Sequence, residues 1–292
     1  MPMKKFRLRG RRRKNRVEKR ERIPLRAIVP NLITSLAACA GITSISLSSE
    51  GRWTEALVAL LVACLCDGID GRVARLLKCS SKLGAELDSL ADFVNFGVAP
   101  AMFMYYWLTG GPDHIGVSPQ LTRLVLGCAL FYAMCDCFRL ARFNTMLEQE
   151  PLPYWKKYFT GIPAPGGCWM VLTPVILSVQ CSGWVPAKVC DALRSPYLGM
   201  AMLLFVGTLM ASRLPTVSLK AIRLNGKRQM QVFMVVALLL IGALVADLWL
   251  TLGVMGCLYF LTVPMTGLSF LKARSRYERS LPAAASEPHV GA

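Results

Sequence analysis

Asp67-Gly68-Ile69-Asp70-Gly71-Arg72-Val73-Ala74-Arg75, eight further residues, then Gly84-Ala85-Glu86-Leu87-Asp88-Ser89-Leu90-Ala91-Asp92 puts four aspartates and two arginines at the ends of two very apolar segments. On a helix, Asp67 and Asp70 form an i, i+3 pair and share a face. Asp88 and Asp92, an i, i+4 pair, do the same. Gly71 and Ala74 keep the first face thin, so a ligand or a second helix can come close. Gly84 and Ala85 do so on the second.

Carboxylates at membrane depth are expensive unless something positive answers them. A hard divalent cation fits four such groups. Mg²⁺ and Mn²⁺ prefer oxygen ligands, and two ions can clamp both oxygens of a phosphoryl displacement. Asp67, Asp70, Asp88 and Asp92 are therefore the expected metal ligands. The alternative is that they are solvated residues at helix ends, and the interleaved Gly, Ala and Arg argue against it.

Outward from this stretch, the composition is that of a membrane protein. The chain has 292 residues, 54% of them hydrophobic, with mean hydropathy +0.45. That is too apolar for one soluble core. The apolar runs predict eight membrane helices, at about 30–48, 53–75, 83–107, 121–143, 163–181, 196–212, 230–247 and 249–271. The expected fold class is thus all-α, a polytopic helical bundle. Its organisation is a basic tail (1–26), a membrane domain (27–272) and a disordered tail (273–292).

The net charge of +17 is unevenly spread. Residues 1–26 hold 13 Lys/Arg against Glu18 and Glu21. With no aromatic interleaving and no fold behind it, this run reads as a surface tail for anionic lipids rather than a nucleic-acid arm. Eight spans put both termini on one side. All of the 34 Lys/Arg except Arg52, Arg123, Lys188 and Arg194 fall on that side, which the positive-inside rule makes cytoplasmic. The aspartates open there too. The eleven cysteines sit mostly in apolar runs and are read as small buried hydrophobes. No short apolar region after the basic head is followed by a signal-peptidase-like site.

The pattern D-x2-D-G-x2-A-R-x8-G-x3-D-x3-D, met at every fixed position, resembles the signature of the CDP-alcohol phosphotransferase family. Phe96-Gly97-Val98-Ala99-Pro100, Leu140-Ala141-Arg142-Phe143-Asn144 and Gly161-Ile162-Pro163-Ala164-Pro165 are similar to its phosphatidylserine synthase branch. The resemblance covers about residues 23–220. It implies transfer of a phosphatidyl group from CDP-diacylglycerol to L-serine, in a homodimer of a bacterial inner membrane. It implies that Asp92 is the general base, taking the proton of the acceptor hydroxyl. Asn31, Thr34, Gly71, Ala74, Arg75, Ser81, Gly84 and Ala85 are then the residues expected around CDP-diacylglycerol. Asn31 and Thr34 also read as helix-capping residues, and Ser81 as a simple loop serine.

Serine is a zwitterion, so its carboxylate calls for a cation. Arg139 and Arg142, i, i+3 at the end of the fourth span, are the candidates, with Asn95 beside them. Asn95 stands where the serine branch commonly has Ser. Arg139 and Arg142 also read as residues that snorkel to lipid headgroups. Glycerol 3-phosphate, inositol phosphate and choline remain alternative acceptors for the same chemistry. An ion-coupled transporter is disfavoured, because the acids cluster on two consecutive spans. A phospholipase-D-like histidine route is excluded, since His114-Ile115-Gly116 and His289-Val290-Gly291 do not fit its motif.

Overall fold

The computed structural model describes residues 28–79, 81–111, 117–146, 158–179, 187–212, 215–217 and 227–280. The basic tail, 1–26, and residues 281–292 lie outside the described residues, whereas 273–280, expected as part of the disordered C-terminal tail, are helical. The elements in chain order are α1 (Ile28–Ser49), α2 (Trp53–Leu76), α3 (Lys82–Asp92), a π-helical segment (Phe93–Val98) and α4 (Ala99–Leu108). Then follow α5 (Pro119–Met146), β1 (Tyr158–Thr160), α6 (Ala164–Val179), α7 (Ala187–Leu193), α8 (Pro196–Ala211), β2 (Pro215–Val217), α9 (Lys227–Ala246) and α10 (Leu248–Ser280). The protein is an all-α membrane bundle. Its long helices coincide with the eight expected segments. Three of them, Ile28–Ser49, Pro119–Thr145 and Leu248–Thr266, are long and apolar enough on their own to cross a bilayer.

The bundle is held by small residues. The buried face of α1 is Pro30, Thr34, Ala37, Gly41, Ser44 and Ser48, spaced alternately four and three apart. Such a stripe lets helix backbones approach where lipid offers no hydrophobic drive. α2 answers with Ala56, Leu57, Leu60 and Ala63, and Ser44 Oγ donates to Ala56 O at 2.8 Å. The core lies between α2, the π segment, α4, α5, α6 and α8, with Phe96, Phe103, Met104, Tyr132, Met170 and Leu203 fully buried. Trp53 packs edge-on against Phe103 and Trp107 at the start of α2, at the opposite end of that helix from Asp67 and Asp70.

The structure departs from the expectations in three places. The third span is not one α-helix: residues 93–98 widen into a π turn. Such turns take up one extra residue and re-aim the side chains around it. Here Phe96 O accepts from the buried Tyr132 hydroxyl of α5 at 2.9 Å. The second departure is a small antiparallel ribbon. β1 pairs with β2, Phe159 opposite Thr216, in segments that fall between the expected spans. Gly161 ends β1 at φ +78°, and a Cβ there would meet Met210 O at 2.8 Å and Ser212 O at 3.0 Å, so only glycine fits. The third concerns the cysteines. Cys135 and Cys168 are buried as expected, but Cys39 and Cys257 are exposed and Cys190 is disulfide-bonded.

Tyr132→Phe keeps the ring and leaves Phe96 O buried without its donor. It should lower stability by about 1–3 kcal/mol. Thermal unfolding in detergent would read this, and an unchanged Tm would mean that the π turn does not lean on Tyr132.

Candidate active site

The last turns of α2 and the body of α3 run close together, and α1 lies across them. Asp67 and Asp70 project from α2 and Asp88 from α3. One carboxylate oxygen of each lies within 4.8 Å of the others. Asp70 is 3% exposed, so its charge needs partners. Thr34 Oγ1 on α1 supplies one, donating to Asp70 Oδ2 at 2.6 Å, and the Gly71 N–H donates to Oδ1. A charge-assisted bond of this kind is worth about 1.5–3 kcal/mol. Thr34 therefore orients a member of the cluster, a role neither capping nor substrate contact had suggested. The side chain of Asp92, one turn beyond Asp88, meets that of Asp67.

Beside these carboxylates lies an open cleft of about 250 Å³. Asn31, Thr34, Gly71, Ala74, Arg75, Ser81, Gly84 and Ala85 all line it, with Asp70 and Asp88 at one wall. The motif thus folds into a single concave surface. Ser81 is more than a loop serine. It caps α3, its Oγ accepting from Gly84 N at 3.0 Å. Arg75 is exposed and its Nε donates to Gly71 O at 3.0 Å, one turn back on its own helix. Its guanidinium stands at the rim of the cleft.

The three residues expected around the acceptor do not share one environment. Asn95 is 1% exposed and packs against Gly41 of α1. Arg142 Nη1 donates to Ser212 O at 3.2 Å, at the C-terminal end of α8. Arg139 alone faces the catalytic region: Asp136, Asp92, Tyr132 and Tyr259 are the groups that act on its charge. The motif Leu140-Ala141-Arg142-Phe143-Asn144 works partly as a staple. Asn144 Nδ2 donates to Ser89 Oγ on α3 at 3.1 Å, and Arg142 reaches α8. Sequence reasoning gave Asp136 no role, although an acid three residues from an arginine inside an apolar helix is a visible signal.

The carboxylate trio fits a divalent cation. It offers only hard oxygen donors. Among the described residues the ion pairs are Arg52–Glu50, Arg52–Glu55 and Arg139–Asp136, so none of the three aspartates is answered by a side-chain cation there.

A profile of the CDP-alcohol phosphatidyltransferase family matches residues 27–209. The chain belongs to the CDP-alcohol phosphatidyltransferase family. α9 and α10 lie beyond the matched segment. Among the relatives, a CDP-diacylglycerol–serine O-phosphatidyltransferase of Mycobacterium leprae is 40% identical over 161 residues, 54% of this chain and 50% of the relative. The protein so named in Helicobacter pylori is 35% identical over 150 residues, 51% of this chain and 58% of the relative. That of Bacillus subtilis is 33% identical over 161 residues, 53% of this chain and 82% of the relative. The chain thus spans about half the length of the mycobacterial relative.

Two glycines separate a ligand contact from a packing contact. A Cβ at Gly71 would meet nothing within 4 Å, whereas one at Gly84 would come within 2.9 Å of Asn31 Oδ1 and 3.1 Å of Ser81 Oγ. Gly71→Ala should leave the fold intact or add up to about 1 kcal/mol, the helix-propensity gain, while weakening binding of a ligand that occupies the cleft. Gly84→Ala should weaken binding and also lower Tm. Titration with CDP-diacylglycerol beside thermal unfolding tests the pair. Undiminished affinity in Gly71→Ala would show that no ligand approaches the backbone there.

Proposed function

We propose that this protein transfers the phosphatidyl group of CDP-diacylglycerol to L-serine, giving phosphatidylserine and CMP. The observation that carries the reading is the convergence of Asp67, Asp70 and Asp88 beside the cleft lined by the rest of the family motif. The activity for which the relatives are named and the serine-branch motifs favour serine as the acceptor.

In this reading the diphosphate lies in the cleft along Gly71 and Ala74. Arg75 pairs with one of its oxygens. Asn31, Ser81, Gly84 and Ala85 surround the nucleotide, and Thr34 holds Asp70 in orientation. Asp67, Asp70 and Asp88, with Asp92 adjoining, hold Mg²⁺ or Mn²⁺. When bound, these ions neutralise the diphosphate and the leaving CMP. Asp92 accepts the proton of the serine hydroxyl as that oxygen attacks the β-phosphorus. Arg139 takes the serine carboxylate. The positions of Asn95 against α1 and Arg142 against Ser212 favour structural duties for both.

The cluster faces the cytoplasm of a bacterial inner membrane, where CDP-linked lipid and serine meet. The distribution of Lys/Arg supports this orientation. So does the disulfide at Cys190, within the short helix α7 that follows the other end of α6, because disulfides persist on the oxidising side. The basic tails engage anionic lipid, no nucleic acid takes part, and two copies form a homodimer.

The direct test is CMP release from CDP-diacylglycerol by the purified full-length protein across a panel of alcohols. L-serine should be the preferred acceptor. EDTA should abolish the activity and Mn²⁺ or Mg²⁺ restore it. Preference for glycerol 3-phosphate, inositol phosphate or choline would overturn the acceptor, and full activity in chelated protein would overturn the metal.

Asp92→Asn separates a base from a ligand. It should lower kcat by on the order of 10²–10⁴-fold and leave CDP-diacylglycerol binding largely intact. Asp70→Asn should weaken metal and lipid-nucleotide binding together. Equal loss of binding in both variants would reassign Asp92 as a ligand.

A further inference from the structure

Behind Asp92 the bundle encloses a charge couple of which the proposed transfer has used only Arg139. Asp136 on α5 has a fully buried side chain and that of Arg139, one turn on, is 15% exposed. Arg139 Nη1 stands 3.7 Å from Asp136 Oδ1, beyond hydrogen-bonding distance. Neither oxygen of Asp136 nor Nη1 of Arg139 has a hydrogen-bond partner. Buried polar groups are nearly always satisfied, and charges inside an apolar bundle more so. Here a carboxylate and a guanidinium lie side by side as an ion pair, yet these three atoms make no hydrogen bond.

The groups around them do not supply the missing hydrogen bonds. Tyr132, the nearest hydroxyl on α5, is committed to Phe96 O. Asp136 reaches into the bundle because Gly97 of the π segment has no side chain: a Cβ there would come within 2.8 Å of Asp136 Oδ2. Tyr259 of α10 seats over Gly166, its hydroxyl 2.7 Å from where a Cβ would stand, and it too faces Arg139. On the remaining side Arg139 faces Asp92.

We propose that Asp136 and Arg139 form a subsite for a zwitterion. Arg139 takes the α-carboxylate of the acceptor and Asp136 its α-ammonium, which turns the side-chain hydroxyl toward Asp92. The inference rests on serine being the acceptor, and it names the substrate class: a hydroxylated α-amino acid. Opposite charges 3.7 Å apart match a carboxylate and an ammonium borne on one carbon. The other acceptors each leave a buried charge unanswered. A phosphorylated alcohol would bring its phosphate against Asp136, and choline has nothing for Arg139. Arg142 is spoken for by Ser212 O and takes no part.

The experiment uses the full-length protein in detergent with CDP-diacylglycerol and three acceptors. These are L-serine, 3-hydroxypropionate, which lacks the ammonium, and ethanolamine, which lacks the carboxylate. The wild type should favour L-serine over each analogue by about 10- to 100-fold in kcat/KM, the effect of one lost charge-assisted hydrogen bond. Asp136→Asn should raise the KM for L-serine and bring the serine-to-3-hydroxypropionate ratio toward one. Arg139→Gln should do the same to the serine-to-ethanolamine ratio. Each ratio is internal to one preparation, so a smaller folded fraction cannot imitate it. If Asp136 merely holds Arg139 in place, Asp136→Asn will change the ethanolamine ratio and leave the 3-hydroxypropionate ratio at its wild-type value, which overturns the subsite. Should Asp136→Asn not fold, competition in the wild type decides. Inhibition of serine transfer by 3-hydroxypropionate at concentrations near the KM for serine overturns the subsite, and inhibition at least tenfold weaker supports it. A wild type that ignores serine and uses another alcohol would bring down the serine reading before any variant is made. One that accepts serine and 3-hydroxypropionate alike would bring down only the subsite.

Discussion

Carboxylates gathered at one end of an apolar bundle repel one another and cannot be left dry. Much of this structure follows from how that is managed. Asp70 is the most buried of the cluster, and the bond from Thr34 Oγ1 at 2.6 Å ties it to a helix 36 residues earlier in the chain. That bond requires α1 to lie almost against α2. The stripe Pro30, Thr34, Ala37, Gly41, Ser44 and Ser48 permits such an approach, and a larger residue anywhere along it would lever the hydroxyl away from the carboxylate. The small residues of α1 thus serve electrostatics as much as packing.

The same demand recurs on the far side of Asp92. An α-helix from 82 to 108 without interruption would carry residues 93–98 on a 3.6-residue period. The π turn breaks that period, so Asn95 faces α1 at Gly41 while Gly97 faces α5 at Asp136. The carbonyl at Phe96 is then met by Tyr132. A helix irregularity, a glycine and a tyrosine thereby act together, opening room for a charged side chain where an ordinary helix would have closed it.

The helical spans are legible in the sequence because hydropathy is a local property. Trp53–Leu76 and Pro196–Ala211 fall within a residue of the expected limits. The cleft is legible too, because one motif on two consecutive helices supplies most of its walls. What the sequence hides are pairings that only the fold creates. Thr34 looks like a capping residue until α2 is laid beside it. Arg142 looks like a ligand contact, yet its hydrogen bond goes to Ser212, and Asn144, read only as part of a motif, bonds Ser89. The π turn has no signature in composition, and the ribbon of β1 and β2 joins segments more than fifty residues apart. Asp136 is the instructive omission. Its cost in an apolar helix is readable from sequence, but its openness is a matter of 3.7 Å in three dimensions.

Exposure changes along the site in a direction that suits its chemistry. Gly71 and Arg75 are exposed, Asp67, Asp88 and Asp92 are half-buried, and Asp136 is fully buried. A bulky, multiply charged nucleotide can enter only where the wall is open and water can leave with it. A small charged group, by contrast, gains most from fixed partners where the surroundings are dry, since the same pair of charges interacts more strongly at low effective dielectric. Asp92 lies between the two regimes. In the proposed transfer, a base there would be close enough to the carboxylate cluster to feel charge on the diphosphate and close enough to Arg139 to feel what the interior holds. The gradient from exposed glycine to buried aspartate would therefore give the two substrates of the proposed transfer different solvents on either side of Asp92.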